Sequence, residues 1–273
     1  MDEDGDILVK RNNATEDKLE ATLILEHQLS TDLANVGMQM WRGAFYLADY
    51  LIHLCIKNSM HEVFYKSGGV WLELGAGVGL LSIVSSLIQP KSVERRLYST
   101  DLLEVIPLTQ RNIVNNVNGA SDLIEVFALD IEKCSIPTKI SESSLELILA
   151  ADLIYDNHLT KCIVKTLHLL ILQELLRHES SREIKGSKSK ILTCLFSIEK
   201  RFNFTIQDLE VTAPAYDYFI KCLDELSTNM RQSHMGLDII YKSLDTNISQ
   251  AFCYERCKNV IIIQIDVIIS NQL

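Results

Sequence analysis

Glu73, Asp101, Asp130 and Asp152 each stand at or near the end of an apolar run, and Gly75-Ala76-Gly77-Val78-Gly79 follows the first of them. Glycines after a first strand let the chain turn through conformations a Cβ forbids, and let a ligand lie against bare main chain. The order is Gly-x-Gly-x-Gly. A dinucleotide fingerprint needs its third glycine where Leu80 stands, which disfavours a nicotinamide-dependent oxidoreductase. Glu73 would sit poorly beside a pyrophosphate and suits a ligand with a cationic end. Asp101, about 20 residues after the last glycine, is placed to take both hydroxyls of a ribose. Asp130 is placed to meet an adenine amino group. Together they describe a nucleoside without phosphates and with a positive tail, and S-adenosylmethionine fits. For any single carboxylate a plainer reading stands beside this one, because Asp often ends a strand simply as a turn residue.

The fourth apolar run ends Ala150-Ala151-Asp152-Leu153-Ile154-Tyr155. In a doubly wound sheet this is where a transferred group would lie. Methyl transfer to an amine needs a neutral lone pair lined up with a sulfonium. A carboxylate and a phenol can orient that amine and accept its N–H bonds while water carries the proton away. An aromatic wall also suits an alkylammonium. The competing reading of Asp152 and Tyr155 is a helix cap and a packed aromatic.

To bring these ends together, parallel strands must alternate with helices. Strands are predicted over Val70–Leu74, Arg96–Asp101, Leu123–Asp130, Leu145–Asp152 and Lys190–Ser197, with two more at Leu237–Tyr241 and Val260–Ile269. Helices are predicted from Leu80 to Ile88, from Leu103 to Val117 and from Asn157 to about Arg177. Ile206–Leu226 reads as one or two helices, with Pro214 starting or interrupting one. The fold class is α/β: a doubly wound, mostly parallel, seven-stranded Rossmann-like sheet covered on both faces. Residues 38–273 form one domain. Residues 1–37 are an appendage in which Ile7–Val9 and Thr22–Leu25 could pair as a short hairpin. Met38–Lys57 is predicted helical, with Trp41, Phe45, Ala48, Leu51 and Cys55 as its apolar stripe. Residues 177–190 are predicted to be a polar loop.

The 36 acidic and 26 basic side chains leave a formal charge of −10. Such a surface repels nucleic acid and anionic membrane and favours a basic peptide or protein partner. The seven cysteines are odd in number and sit mostly in apolar patterns, as reduced thiols of an intracellular protein do. Cys253 and Cys257 have a metal-site spacing but no second pair, so no metal is expected. The acidic start gives no signal peptide, and no targeting segment is expected ahead of the domain. The longest apolar run, Val260–Ile269, is too short for a bilayer and contains Gln264 and Asp266.

Glu73–Gly79, Asp101 and Asp152-Leu-Ile-Tyr155 resemble the seven-β-strand methyltransferases. More narrowly they resemble the protein-lysine methyltransferase group, marked by Asp or Glu, two residues and Tyr after the fourth strand. Met40-Trp41-Arg42-Gly43-Ala44 resembles the tryptophan segment that precedes that group's domain. Likeness over Ser197–Thr205 and Ala215–Phe219 extends the resemblance to about residues 20–270. It implies that Trp41, Glu73, Gly75, Ala76, Gly77, Asp101, Asp130 and Ala151, with the turn residue Gly79, line S-adenosylmethionine. It implies that Asp152 and Tyr155 face a lysine amine. The substrate implied is a nuclear, nucleic-acid-associated protein, and the enzyme a nuclear or cytosolic monomer that does not itself bind nucleic acid. Ile131 stands where many members have a tryptophan over the adenine. That departure, with the basic 177–190 loop, motivates a second reading as a binding module with weak or no activity. A nucleic-acid adenine methyltransferase would carry two prolines and an aromatic after the fourth-strand Asp or Asn, and Asp-Leu-Ile-Tyr does not match.

Overall fold

The computed structural model describes residues 22–29, 33–57, 69–89, 95–117, 123–181, 188–205, 210–244 and 247–270. Strands β1 (Val70–Leu74), β2 (Leu97–Asp101), β3 (Ile124–Ala128), β4 (Leu145–Ala151) and β5 (Lys188–Glu199) are separated by helices. These are α2 (Leu80–Leu87), α3 (Ile106–Asn116), the single turn α4 (Thr138–Ser141) and α5 (Asn157–Ser181), while α1 (Arg42–Ile56) precedes β1. A small hairpin, β6 (Asn203–Thr205) and β7 (Glu210–Thr212), then leads to α6 (Pro214–Ser233), β8 (Leu237–Ser243) and β9 (Val260–Ser270).

The seven-stranded sheet has the order β3-β2-β1-β4-β5-β9-β8. Its first five members run parallel, and β9 is antiparallel to both β5 and β8. The expected α/β sheet is therefore present, with one strand reversed. Successive strands step one way from β1 to β3 and the other way from β4 to β5. The reversal lies between β1 and β4, where helices on opposite faces leave a crevice at the carboxyl ends.

Alternation along the strands explains the two cores. Val70, Leu72, Leu74, Ile148 and Phe196 point to α5 and α6, meeting Ile163, Leu167, Leu170, Phe219 and Leu223. Trp71, Leu147, Leu149 and Leu195 point the other way, against Leu47 and Leu51 of α1, Leu80 and Ile83 of α2 and Ile113 of α3. With both faces covered, β1 reads as an apolar run broken only by Glu73.

Several expected boundaries shift. The 177–190 loop shrinks from both ends, because α5 continues to Ser181 and β5 begins at Lys188; residues 182–187 lie outside the described residues. Pro214 starts a helix, as its fixed φ and missing N–H favour. The β6–β7 hairpin was not anticipated. Helix α1 buries more than the expected stripe, adding Tyr46, Leu47, Tyr50 and Leu54, because it lies between the sheet and the segment before β9. There the buried Asp49 accepts bonds from the Ala251 and Phe252 N–H groups, the Tyr254 hydroxyl and the Arg256 guanidinium.

Of the expected N-terminal hairpin, Ile7–Val9 lies outside the described residues. Residues 22–29 are extended but not in a strand, and two asparagines of α3 hold them. Asn116 exchanges a pair of hydrogen bonds with the Ile24 backbone and Asn112 does the same with Glu26, at 2.7–2.9 Å.

Candidate active site

A cavity of about 560 Å3 opens at the carboxyl ends of β1, β2 and β4, with residues that follow β3 and precede α1 completing its wall. Its floor is the glycine turn. Gly75, Ala76 and Gly77 present main chain to it, and α3 props the turn from behind. The Thr109 hydroxyl donates to the Gly77 carbonyl at 2.6 Å, and the Asn112 side chain donates to the Val78 carbonyl at 2.9 Å. A Cβ on Gly77 would lie 2.8 Å from the Gly37 carbonyl oxygen, so no side chain fits between the turn and the N-terminal segment.

Asp101, only 9% exposed, is held by two backbone donors: Gly77 N–H to Oδ2 and Leu102 N–H to Oδ1, both at 2.7 Å. Burial raises its pKa and these two bonds oppose the rise. A carboxylate has about four acceptor positions, so a pair of hydroxyls can still be received. Glu73 is 2% exposed and accepts a bond from the Ser82 hydroxyl of α2. Burial pushes its pKa up to about 8, with the Ser82 bond lowering it and the Asp101 charge adding to it. A cation entering this cavity would reverse much of that penalty.

Asp130 borders the cavity, and its carboxylate is also engaged locally. It accepts the Glu132 N–H at 3.1 Å, capping a 3-10 turn, and pairs with Lys133 at 3.1 Å. The turn role expected of such a residue is thus present, in a side chain that also borders the cavity. Ile131 is buried and faces the cavity, with Leu129 beside it, so the wall keeps an apolar surface where the tryptophan is missing. Trp41 flanks the cavity as the N-cap of α1, its Nε1 donating to the Val36 carbonyl at 2.9 Å.

Ala151, Asp152 and Tyr155 border the cavity beyond β4. Asp152 has φ +54°, a left-handed conformation rare outside glycine and frequent at functional sites. Its Oδ2 accepts the Gly43 N–H at 2.6 Å, in the first turn of α1. It therefore is a helix cap, but of a helix that begins more than a hundred residues earlier. The cap of the following α5 is Asp156, which accepts the Leu159 N–H at 2.9 Å. A Cβ on Gly43 would fall 2.5 Å from the Asp152 carboxylate, which explains a glycine inside that helix. Burial brings the Asp152 pKa up to about 6; the Gly43 bond opposes this, Glu199 adds to it, and Arg201 opposes it. At neutral pH Asp152 is mainly ionised. Tyr155 is 40% exposed, and burial with nearby carboxylates raises its phenol.

One expected residue stands apart. Gly79 is not on the cavity wall: at φ +85° it is the N-cap of α2, where an added Cβ would be 3.2 Å from Thr109 Cγ2. Other residues of the wall were not anticipated. Val36, Gly37 and Gln39 come from the segment before α1, and Arg201 follows β5. Arg201 lay within the Ser197–Thr205 likeness but carried no role there; Val36 and Gly37 had no signal beyond proximity to Trp41.

Bare backbone, a diol-sized carboxylate, apolar walls and a buried carboxylate for a positive charge are together what S-adenosylmethionine requires. The residues present fit that cofactor: Asp101 would take the ribose, Ile131 and Leu129 would lie against the base, and Glu73 would face the charged tail. Among the described residues no group of three or more His, Cys, Asp or Glu is arranged to hold a metal ion.

The sequence relatives of the chain include named methyltransferases. The chain is 31% identical over 253 residues to methyltransferase-like protein 22 of Mus musculus, covering 86% of the chain and 57% of that protein. It is likewise 31% identical to methyltransferase-like protein 22 of Homo sapiens, covering 86% of the chain and 55% of that protein. The chain thus spans a little over half the length of these relatives. Among solved structures, magnesium protoporphyrin IX methyltransferase from Synechocystis PCC 6803 with bound SAH superposes with a TM-score of 0.45 at 11% identity, over 89% of this chain and 90% of that one. A family model described as lysine methyltransferase matches residues 18–190, from ahead of α1 to the start of β5, and the chain belongs to that family.

Proposed function

We propose that the protein is a protein-lysine N-methyltransferase that uses S-adenosylmethionine and acts on a lysine of a nuclear, nucleic-acid-associated protein, in the nucleus or cytosol, as a monomer. The observation that carries this reading is the place of Asp152 and Tyr155, together beside the cofactor cradle and at the reacting end of a doubly wound sheet. The family and the resemblance in sequence support lysine as the acceptor. The acidic surface supports a basic protein partner.

Bound in the cradle, S-adenosylmethionine supplies a methyl group on a positively charged sulfur, open to direct displacement by an amine. The chain's own residues do the rest. Asp101 and the glycine turn fix the nucleoside, and Glu73 offsets the positive charge. A lysine enters as an ammonium with an ordinary pKa near 10, and a second cation close by lowers it. Asp152, ionised and anchored by Gly43, accepts a hydrogen bond from the incoming nitrogen and aims its lone pair. The half-exposed Tyr155 offers an aromatic face on the open side. Even raised by burial, the Asp152 carboxyl is a stronger acid than an alkylammonium, so it orients rather than stores the proton, which leaves to solvent.

The test is transfer of labelled methyl to proteins of a nuclear extract, with calorimetry of cofactor binding alongside. Asp152→Asn is expected to lower turnover by about 100-fold, in the range of a lost orienting group, with cofactor affinity held within about threefold. Full turnover by Asp152→Asn would remove the role given to this residue.

A further inference from the structure

Among the described residues, six carboxylates line the cavity, Glu73, Asp101, Glu104, Asp130, Glu132 and Asp152, against one basic side chain, Arg201. A cavity of this charge admits a lysine ammonium readily, so the single cation on its wall needs a reason. Arg201 is exposed and follows β5, on the acceptor side of the crevice. Its guanidinium lies over the Trp41 ring, 5.7 Å from the ring centre, within cation–π range. It makes no ion pair among the described residues.

Acidic groups on this side of the molecule already have partners. Asp152 is tied to the Gly43 N–H, Glu199 lies 3.5 Å from Arg42, and Asp130 is paired with Lys133. The neighbouring Lys200 is also occupied, resting 4.0 Å over the Tyr216 ring. Arg201 is close enough to bias Asp152 and Tyr155 electrostatically. A group bound by it would therefore sit beside the target amine. A planar guanidinium matches a carboxylate better than any other common protein group. Neighbouring residues of an extended peptide are about 3.3 Å apart along the chain, so a side chain one or two positions from the lysine reaches the same rim.

We infer that Arg201 selects the sequence around the target, binding the carboxylate of an Asp or Glu next to the methylated lysine and repelling a basic neighbour. This rests on the lysine methyltransferase reading and narrows it. The negative molecule draws in a basic protein as a whole, while Arg201 rejects lysines in the middle of basic runs. Specificity of this kind comes as much from the repelled partner as from the attracted one.

A positional library of short peptides tests it, each with one lysine flanked by Glu, Ala or Arg, incubated with the full chain and methyl-labelled S-adenosylmethionine. Glu-flanked peptides are expected to be methylated about three- to tenfold more efficiently than Arg-flanked ones, a span typical of one partly exposed charge contact. Arg201→Met should level the series through KM rather than kcat, and Arg201→Glu should invert it. Calorimetry of Arg201→Met should give a cofactor Kd within about twofold of the parent. A library methylated without charge preference, or with the same preference in Arg201→Glu, overturns the inference alone. So does a cofactor affinity reduced about tenfold in Arg201→Met, which would assign the guanidinium to the cofactor's own carboxylate. No label in any peptide, with cofactor binding intact, removes the lysine reading and the inference with it.

Discussion

Glu73 and Asp152 are acids whose pKa values burial raises, to about 8 and about 6. The native protein therefore holds their protons more tightly than the unfolded chain does. Their contribution to stability is full below the ordinary carboxylate range and is lost as pH rises, through about 6 for Asp152 and about 8 for Glu73. The Tm of the cofactor-free protein is expected to fall as pH rises from about 5 to about 9, and Glu73→Gln should flatten the upper part of that fall. A cationic ligand favours ionised Glu73, so cofactor binding near neutral pH should release a proton. Calorimetry in buffers of different ionisation heat measures this, and Glu73→Gln should abolish the release. Glu73 was legible in sequence because an acid inside a buried strand is conspicuous. Arg201 was not, because nothing in a surface arginine after a strand tells that it overlies a tryptophan from far earlier in the chain.

At the scale of elements, α3 is both a layer of the sandwich and the support of the cofactor turn. Asn112, fully buried, bonds the Val78 carbonyl on one side and the Glu26 backbone on the other. Asn112→Ala leaves those groups without their partner and should cost about 2–3 kcal/mol in denaturant unfolding. It should also weaken cofactor binding, because Val78 belongs to the turn. Gly43→Ala would drive a methyl group into the Asp152 carboxylate, and turnover should fall with little loss of cofactor affinity, read as kcat against Kd. The strands and helices around the glycine turn were legible from periodicity, since parallel strands covered on both faces are continuous apolar runs. The grip of the α3 asparagines on residues 22–29 was not legible, because it depends on a fold that brings the two together. Gly79 shows the opposite limit. A glycine in a motif serves either a ligand or a helix packing behind it, and spacing alone does not distinguish these.

For the molecule as a whole, the surplus of acid acts at long range and the cavity at contact. Association with a basic protein should slow as salt screens the field, by about tenfold in kcat/KM between 0.05 and 0.5 M ionic strength. Cofactor Kd should change far less, because the cofactor's partners are buried. Stopped-flow association with a basic protein substrate and calorimetry at the same salts separate the two. The alternation of predicted strands and helices up to β5 indicated a doubly wound, mostly parallel sheet, whereas the order β3-β2-β1-β4-β5-β9-β8 and the reversed β9 came only with the structure. A strand pair at the end of a chain can join either edge, and only the fit of β9 between β5 and β8 decides.

The hold that Asn112 and Asn116 keep on Ile24 and Glu26 engages only amide and carbonyl groups, each side chain closing a two-bond ring on one peptide backbone. Such a clasp is blind to side-chain identity. The clasp itself therefore survives side-chain changes at those two positions, although Glu26 also pairs with Arg111 at 3.0 Å, while a single proline at either removes the donor and opens it.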